Sequence, residues 1–237
     1  MDIYWSPWYR PNESPEREFH CVEPDLLVRE LMKTRNDSNT NMNFLDCPAF
    51  LRSMSNLYVW RSPLDVHARL ENGKFVAADS ASAGFVDLLA QMPGSRTIRN
   101  QFKFYVDAIF FAPEAVMMSS YPAFFHSSQL QTRAQYIPGG FDIAKWFRPV
   151  EGQFELMENT TEIQWKRGDP MFYFKFETTS PIRLKRFKVT PEIFATSMGC
   201  IRYKKWRPNA SLGKVYDAFC QSKTDEALLE MVKAASV

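Results

Sequence analysis

The sequence has few of the residues on which metal and disulfide chemistry depend. There are four cysteines and three histidines among 237 residues, and no two cysteines form a CxxC pair. This spacing excludes the common cysteine motifs for zinc and iron–sulfur clusters. His20, His67 and His126 are scattered, without an HxH or HExxH pattern. We therefore expect no metal site and no cofactor.

Long apolar runs and a strong net charge are also absent. The longest apolar stretches, such as Ala108–Pro113, contain only a few residues, whereas a membrane-spanning helix needs about 20. The balance of 29 Lys+Arg against 27 Asp+Glu gives a net charge of +2, which by itself does not indicate a binder of phosphate backbones. The amino terminus lacks the basic start and apolar core of a secretory signal. We expect no membrane contact and a reducing, cytoplasmic environment.

Aromatic residues, in contrast, are abundant. They make up 15% of the chain, with 20 Phe, 9 Tyr and 6 Trp, and apolar residues reach 45%. This composition is typical of a packed globular protein rather than of a disordered chain. Because no repeat or linker divides the chain, we expect residues 25–237 to form one globular domain.

The first 24 residues have a composition of their own. Four large rings stand among four prolines, a mixture that favours extended backbone over helix. We expect residues 1–24 to form an extended arm, packed either over its own domain or on a neighbouring subunit. The candidate contact residues of this arm are Tyr4, Trp5, Trp8 and Tyr9.

Alternation of apolar and polar residues predicts strands through the middle of the chain. From Phe102 to Phe110 the apolar residues share even positions, so one face of this strand is expected to be buried. Asn72-Gly73, between two β-prone runs, predicts a tight hairpin turn. In residues 182–189 the alternation changes phase near Arg186, which predicts a β-bulge.

Helix signals lie toward the two ends of the chain. Pro24 and Asp25 begin an amphipathic pattern, Thr190-Pro191 resembles the start of a short helix that ends near Gly199, and Thr224 begins a last helix. Short strands broken by Pro and Gly turns, with helices near the ends, predict a β-rich α+β fold. In detail, we expect an antiparallel β-sandwich of jelly-roll type with peripheral helices.

The strongest charge signal lies between positions 181 and 215, where nine basic residues accompany a single acid, Glu192. Within it, residues 200–209 read CIRYKKWRPN and mix cations with aromatic rings. Proteins bind single-stranded nucleic acid with such a mixture, through phosphate contacts and base stacking. An edge strand or loop with outward basic residues explains the pattern equally well. The candidate binding residues are Arg202, Lys204, Lys205, Trp206 and Arg207.

Catalytic signals are weak, and we predict no catalytic residue. Cys47 precedes Pro48 at the start of a predicted helical turn, which would favour a reactive thiolate, but cysteine is also among the most often buried residues. A second possibility is a pocket at the mouth of the sandwich, where Arg148, Arg167 and Asp169 would hold a small acidic molecule.

Three short motifs carry a family resemblance. CPAF at 47–50, the segment Arg61-Ser62-Pro63-Leu64-Asp65 and KRGDPMFYFKF at 166–176 resemble uncharacterised proteins of large tailed bacteriophages. The resemblance spans about residues 40–190 and carries no assigned activity and no catalytic residue. It implies a phage-encoded protein made in the host bacterial cytoplasm, with assembly into a virion as one alternative.

Three functions follow as hypotheses. The first is a phage-encoded structural or protein-interaction protein without catalytic activity, either a virion component or a binder of a host factor, with a protein partner or further copies of itself. The second is a jelly-roll domain that binds, or acts on, a small acidic ligand. The third is single-stranded nucleic-acid binding.

Overall fold

The structure, a computed structural model, describes residues 1–8, 22–33, 44–92, 101–207, 209–222 and 224–237. In these ranges the strands are β1 (Asp2–Pro7), β2 (Asp25–Leu26), β3 (Leu57–Arg61), β4 (Val66–Glu71), β5 (Lys74–Ala77), β6 (Leu89–Met92), β7 (Gln101–Phe111), β8 (Met117–Pro122), β9 (Ala134–Tyr136), β10 (Gly139–Asp142), β11 (Val150–Leu156), β12 (Glu162–Trp165), β13 (Pro170–Phe176) and β14 (Arg183–Arg186). The α-helices are α1 (Leu27–Lys33), α2 (Pro48–Ser53), α3 (Gln129–Arg133), α4 (Pro191–Trp206), α5 (Leu212–Gln221) and α6 (Thr224–Ala234), and 3-10 turns lie at Phe44–Asp46 and Val86–Leu88.

The strands form three sheets. The first has the order β14-β1-β7-β11-β9, with β6 also paired to β7, and the second has the order β10-β8-β13-β3-β2. A small third sheet consists of β12-β4-β5. The pair β1–β14 is parallel and makes the first sheet mixed, whereas the other pairs of named strands are antiparallel. The expected β-rich class with accompanying helices is confirmed.

Side chains of all three sheets meet in one aromatic core. At its centre Trp60 of β3 lies between Phe110 of β7 and Phe174 of β13, with ring centroids 6.5 and 6.4 Å away. Most of these ring pairs meet edge to face or tilted, which suits the positive edge and negative face of aromatic rings. The even-numbered phenylalanines of β7 point into this core, as the alternation predicts.

The outer face of the first sheet carries a second core. Ile109 and Phe111 of β7, together with Tyr4 of β1, point away from the first core and pack against the helices α4–α6. The prediction that only one face of this strand is buried is therefore wrong for its last residues, because helices cover the other face there. The helices contribute Ile193, Val215, Tyr216, Phe219, Leu228 and Val232.

Residues 182–189 connect these two cores. Ile182 and Leu184 pack against the first core, whereas Phe187 and Val189 belong to the second. The predicted bulge is not what causes the change of phase: β14 ends at Arg186 without a register shift, and the chain then directs its apolar residues to the opposite side of the sheet.

A third, smaller core covers the outer face of the second sheet. Leu57 and Val59 of β3 and Tyr173 of β13 pack there against Leu27 of α1 and against Met54, which follows α2. Helices thus cover the outer faces of the first and second sheets, and side chains of both sheets share the first core. The high aromatic content fits this arrangement, since three apolar cores must be filled.

Local signals of the sequence hold to different degrees. The predicted hairpin turn is present, with positive φ angles of 49° at Asn72 and 77° at Gly73, as a turn with two left-handed residues requires. The helix expected to end near Gly199 instead continues to Trp206. Glycine costs only about 1 kcal/mol inside a helix relative to alanine, and the residues after Gly199 continue the helix.

No helix in the described ranges has the length and apolarity needed to cross a membrane.

Candidate functional site

The aromatic residues expected in an arm lie mainly inside the fold. Tyr4 and Trp5 are buried on β1, which is an inner strand of the first sheet between β14 and β7. Trp8 is half-buried and stacks on Phe194 of α4, with centroids 4.9 Å apart. Tyr9 lies outside the described residues. Tyr4 and Trp5 are therefore not available as a contact surface in the folded chain.

The basic stretch is helical rather than a strand or loop. Arg202 and Trp206 lie on the last turns of α4, and both are exposed, as is Arg207 just after the helix. Trp206 has 71% of its surface exposed, and the Arg207 guanidinium lies 4.9 Å from the centre of its ring. The side chains of Lys204 and Lys205 are outside the described part. The structure thus presents one exposed cation–aromatic pair at this helix end.

Exposed phenylalanines form the largest aromatic feature of the described surface. Phe44, Phe124 and Phe125 are 53, 56 and 37% exposed, and half-buried Phe50 lies among them. The centroid of Phe44 is 4.8 Å from that of Phe50 and 6.2 Å from that of Phe125, and Phe124 is 4.8 Å from Phe125. We call these four residues the phenylalanine surface.

Two different segments build the phenylalanine surface. Phe44 and Phe50 come from the 3-10 turn and from α2, where Pro48 at the start of the helix fixes the backbone. Phe124 and Phe125 lie in the loop after β8, and two adjacent aromatic residues in a loop cannot both point into one core. Phe124 also contacts the Tyr173 ring, 5.0 Å away, so the loop is seated on the second sheet.

A chain of polar contacts holds this loop in place. The Phe125 amide donates to the Tyr173 hydroxyl (3.1 Å), which lies 2.5 Å from Nδ1 of His126. Nε2 of His126 lies 3.0 Å from a carboxylate oxygen of Glu30 on α1. Arg61 donates to the other Glu30 oxygen (2.5 Å) and to the Gly168 carbonyl (2.8 Å). These contacts connect helix α1, the loop after β8 and the strands β3 and β13.

The environment of Glu30 and Tyr173 shifts the pKa of each group. Burial alone would raise the pKa of Glu30, but hydrogen bonds from Arg61 and His126 hold it below its usual range. Burial raises the pKa of Tyr173 far above its ordinary value, so it keeps its proton. Every contact is satisfied when Nε2 of His126 donates to the Glu30 carboxylate and Nδ1 accepts from the Tyr173 hydroxyl. Since both ring nitrogens of His126 are engaged, we assign it to holding the loop.

Comparison with known proteins gives no assignment. No protein family, curated protein or solved structure matches this chain.

Arg148, Arg167 and Asp169, the residues considered for an acidic ligand, each have contacts of their own in the fold. The Arg148 guanidinium packs over Trp146, 5.1 Å from its ring centre, on the side of the second core. Asp169 accepts from the Lys166 amide (2.8 Å), and the Arg167 amide donates to Asp65 (2.6 Å), so both belong to the turn before β13. Arg167 and Asp169 thus share one turn, whereas Arg148 lies on the side of the second core.

Cys47 directly precedes the first turn of α2, as the sequence predicts. Its side chain is exposed and unpaired rather than buried. In the described ranges no group of three His, Cys, Asp or Glu side chains is placed to hold a metal ion.

Neither the phenylalanine surface nor the contacts of His126 were predicted from the sequence, and Phe124 and Phe125 had no predicted role. The available signal was the pair of adjacent phenylalanines between Pro122 and the polar residues 126–129, because large adjacent rings in a loop suggest an exposed aromatic surface.

Proposed function

We propose that this protein is a structural or protein-interaction protein that associates with further copies of itself through the phenylalanine surface. The observation that carries the proposal is the contiguity of three exposed phenylalanine rings, held in place from below by the Tyr173 hydroxyl. Apolar surface in water is unfavourable by about 25 cal/mol per Å², and contiguous patches of it are typical of interaction sites.

Charge favours a second copy as the occupant. The net charge of +2 is close to zero, so copies repel one another weakly, which promotes association. Exposed residues of both signs, Asp46 and Arg52, lie on the same short segments as Phe44 and Phe50. Charges of both signs beside an apolar surface allow opposite charges to meet across a two-fold contact.

The experiment is native mass spectrometry and sedimentation velocity of the purified protein over a range of concentrations. We compare the wild type with the double variant Phe44→Ser/Phe124→Ser, which removes the two most exposed rings of the phenylalanine surface and replaces no buried side chain. Met117→Ser is the matched control, because Met117 is also exposed but lies at the other end of β8.

We expect a wild-type oligomer, a monomeric double variant and an unchanged Met117→Ser control. Equal far-ultraviolet circular dichroism of the three proteins would show that the fold is retained. A wild type that stays monomeric at all concentrations contradicts the proposal, and so does a double variant that keeps the mass of the wild-type oligomer.

Two finer points belong to this proposal. We infer that the shared aromatic core of the first and second sheets is that of a β-sandwich of jelly-roll type, which is supported by ring contacts such as Trp5–Trp60 between the two sheets. We also infer a phage-encoded protein of the host bacterial cytoplasm or the virion, supported by the three short sequence motifs alone.

Single-stranded nucleic-acid binding is the second candidate. The observation that favours it is the exposed Trp206 ring with the Arg207 guanidinium 4.9 Å from its centre, since base stacking on an aromatic ring contributes about 1–3 kcal/mol. We expect Trp206→Leu to reduce the anisotropy change of a labelled oligothymidine, with Phe44→Ser as the control. A wild type that causes no such change at low salt contradicts this candidate.

A further inference from the structure

A cleft opens where the edges of the first and second sheets meet. It has a volume of about 460 Å³, within the range of about 300–1,000 Å³ that is typical of small-molecule sites. Its lining includes the apolar side chains of Trp5 of β1, Leu26 of β2 and Leu184 of β14. It also includes Arg29 of α1 and Tyr58 of β3, and Tyr58 is paired with Leu26 across β2 and β3.

Tyr58 brings an unsatisfied hydroxyl to this cleft. Its side chain is only 5% exposed and its ring stacks on Phe174 in the first core, 5.4 Å between centroids. No residue in the described ranges hydrogen-bonds its hydroxyl. A hydroxyl that was fully enclosed and had no partner would be a buried unsatisfied group, but in those ranges the only such side-chain atom is Nε of Arg148. The Tyr58 hydroxyl is therefore in contact with open space, and the cleft is the space that Tyr58 lines.

Arg29 provides the matching charge. Its side chain is exposed and forms no ion pair within the described ranges. Arg29 is near enough to Tyr58 for its charge to oppose the rise of the tyrosine pKa that burial causes. A guanidinium and a buried hydroxyl that line one cavity, both without partners among the described residues, make a preformed pair of hydrogen-bond donors for an anion.

The remaining charged residues of the cleft have partners or lie at its rim. Arg186 is 3.9 Å from Glu23 and 5.8 Å from the Trp5 ring centre, and Lys185 is 2.6 Å from Asp2. Glu23 and Asp25 are exposed at the entrance. They limit the total positive charge, which favours a ligand with a single anionic group over a polyanion.

We propose that this cleft binds a small organic anion, with its carboxylate or phosphate group against Arg29 and the Tyr58 hydroxyl and its apolar body against Trp5, Leu26 and Leu184. The site is separate from the phenylalanine surface and does not depend on self-association. The carboxylate and phosphate forms share the same recognition by paired donors, so the test includes both.

The test is isothermal titration calorimetry with four probes, namely phenyl phosphate, benzoate, inorganic phosphate and benzyl alcohol. The first two combine an anion with an apolar ring, and the last two supply each part alone. The variants are Tyr58→Phe, which removes only the hydroxyl, and Arg29→Gln. Arg133→Gln on α3 is the control, because Arg133 is exposed but does not line the cleft.

We expect phenyl phosphate or benzoate to bind at least about tenfold more tightly than inorganic phosphate or benzyl alcohol. Only the first two probes combine an anionic group with an apolar ring, so only they contact both the donors and the apolar lining of the cleft. Whichever of the two binds more tightly identifies the anionic group. Tyr58→Phe and Arg29→Gln should each weaken the binding of that probe about tenfold, and Arg133→Gln should leave its affinity unchanged. Absence of binding by all four probes overturns the proposal, as does unchanged affinity in both cleft variants.

Discussion

A single hydroxyl joins the buried Trp165 to the turn that follows β3. The indole N–H of Trp165 donates to Oγ of Ser62 (2.9 Å), and Ser62 donates to the Leu64 carbonyl (2.7 Å). We expect Ser62→Ala to lower the free energy of unfolding by about 1–3 kcal/mol, because the buried indole N–H loses its acceptor. Urea denaturation measures this, with exposed Ser55→Ala as a control expected to change stability by less than about 0.5 kcal/mol. Equal losses in the two variants would contradict this interpretation.

The two described cysteines differ in accessibility, and the surroundings of one of them make its thiol less acidic. Cys47 is exposed, whereas Cys220 is half-buried, and burial followed by the nearby Asp225 raises the pKa of its thiol. Because the thiolate is the reactive form, we expect iodoacetamide at pH 7.5 to alkylate Cys47 several times faster than Cys220. Peptide mapping by mass spectrometry of samples quenched over time gives both rates. Faster labelling of Cys220 would place Cys47 in a less accessible position than the structure shows.

His67 makes the stability of the small third sheet depend on pH. Its ring nitrogens lie 2.5 Å from a Glu162 oxygen and 3.1 Å from an Asp79 oxygen. The hydrogen bond with Glu162 is the largest cause that raises the pKa of His67 above its usual value, and the hydrogen bond with Asp79 adds to it, while burial opposes the rise. A raised pKa means that the stabilisation is complete below the unfolded-state pKa of about 6.5 and is lost as pH rises through the folded-state pKa.

We therefore expect His67→Gln to destabilise the protein by about 0.5–1 kcal/mol at pH 6 and by less at pH 9. Urea denaturation of both proteins at the two pH values measures the difference. In a Glu162→Gln background the pH dependence of the His67→Gln effect should shrink, since the strongest contact is gone. A loss that is the same at pH 6 and pH 9 in the wild-type background would exclude a charged His67.

At the scale of elements, β1 is an inner strand rather than an arm, and its core contacts can be weighed directly. Ile3 is fully buried in the first core, while Ile182 on the neighbouring segment is half-buried against the same core. We expect Ile3→Ala to cost about 2–5 kcal/mol of unfolding free energy, and Ile182→Ala clearly less. Thermal and urea unfolding give both values. An Ile3→Ala loss no larger than that of Ile182→Ala would indicate a detachable strand.

Elements that depend on local pattern were predictable, and those that depend on distant pairing were not. Asn72-Gly73 requires only its own backbone to make a turn, and the even-numbered phenylalanines of β7 point inward as any alternating strand does. The N-terminal residues were expected in an arm because no local signal shows that β14, about 180 residues later, pairs with them. The phenylalanine surface likewise depends on a distant contact, because the Phe125 amide donates to the hydroxyl of Tyr173, 48 residues later in the chain.

At the scale of the whole molecule, the first sheet is shared by two cores and should make them unfold together. Leu228 of α6 is fully buried in the second core, far from the tryptophans of the first. We expect Leu228→Ala to lower the free energy of unfolding by about 2–5 kcal/mol. The unfolding transitions followed by tryptophan fluorescence and by far-ultraviolet circular dichroism should shift by the same amount. Exposed Glu226→Ala on the same helix is the control. Two separate transitions would show that the helical layer unfolds on its own.

The parallel pairing of β1 with β14 also bears on how the chain reaches its fold during synthesis. The Met1 carbonyl accepts from the Arg183 amide, and the Met1 amino group donates to the Pro181 carbonyl. Contacts between residues so far apart in sequence raise the contact order, which slows folding. Until the ribosome has released β14, the aromatic strand β1 keeps one unpaired edge, and such edges are where nascent chains aggregate. The last quarter of the chain is thus needed to complete the pairing of the first strand.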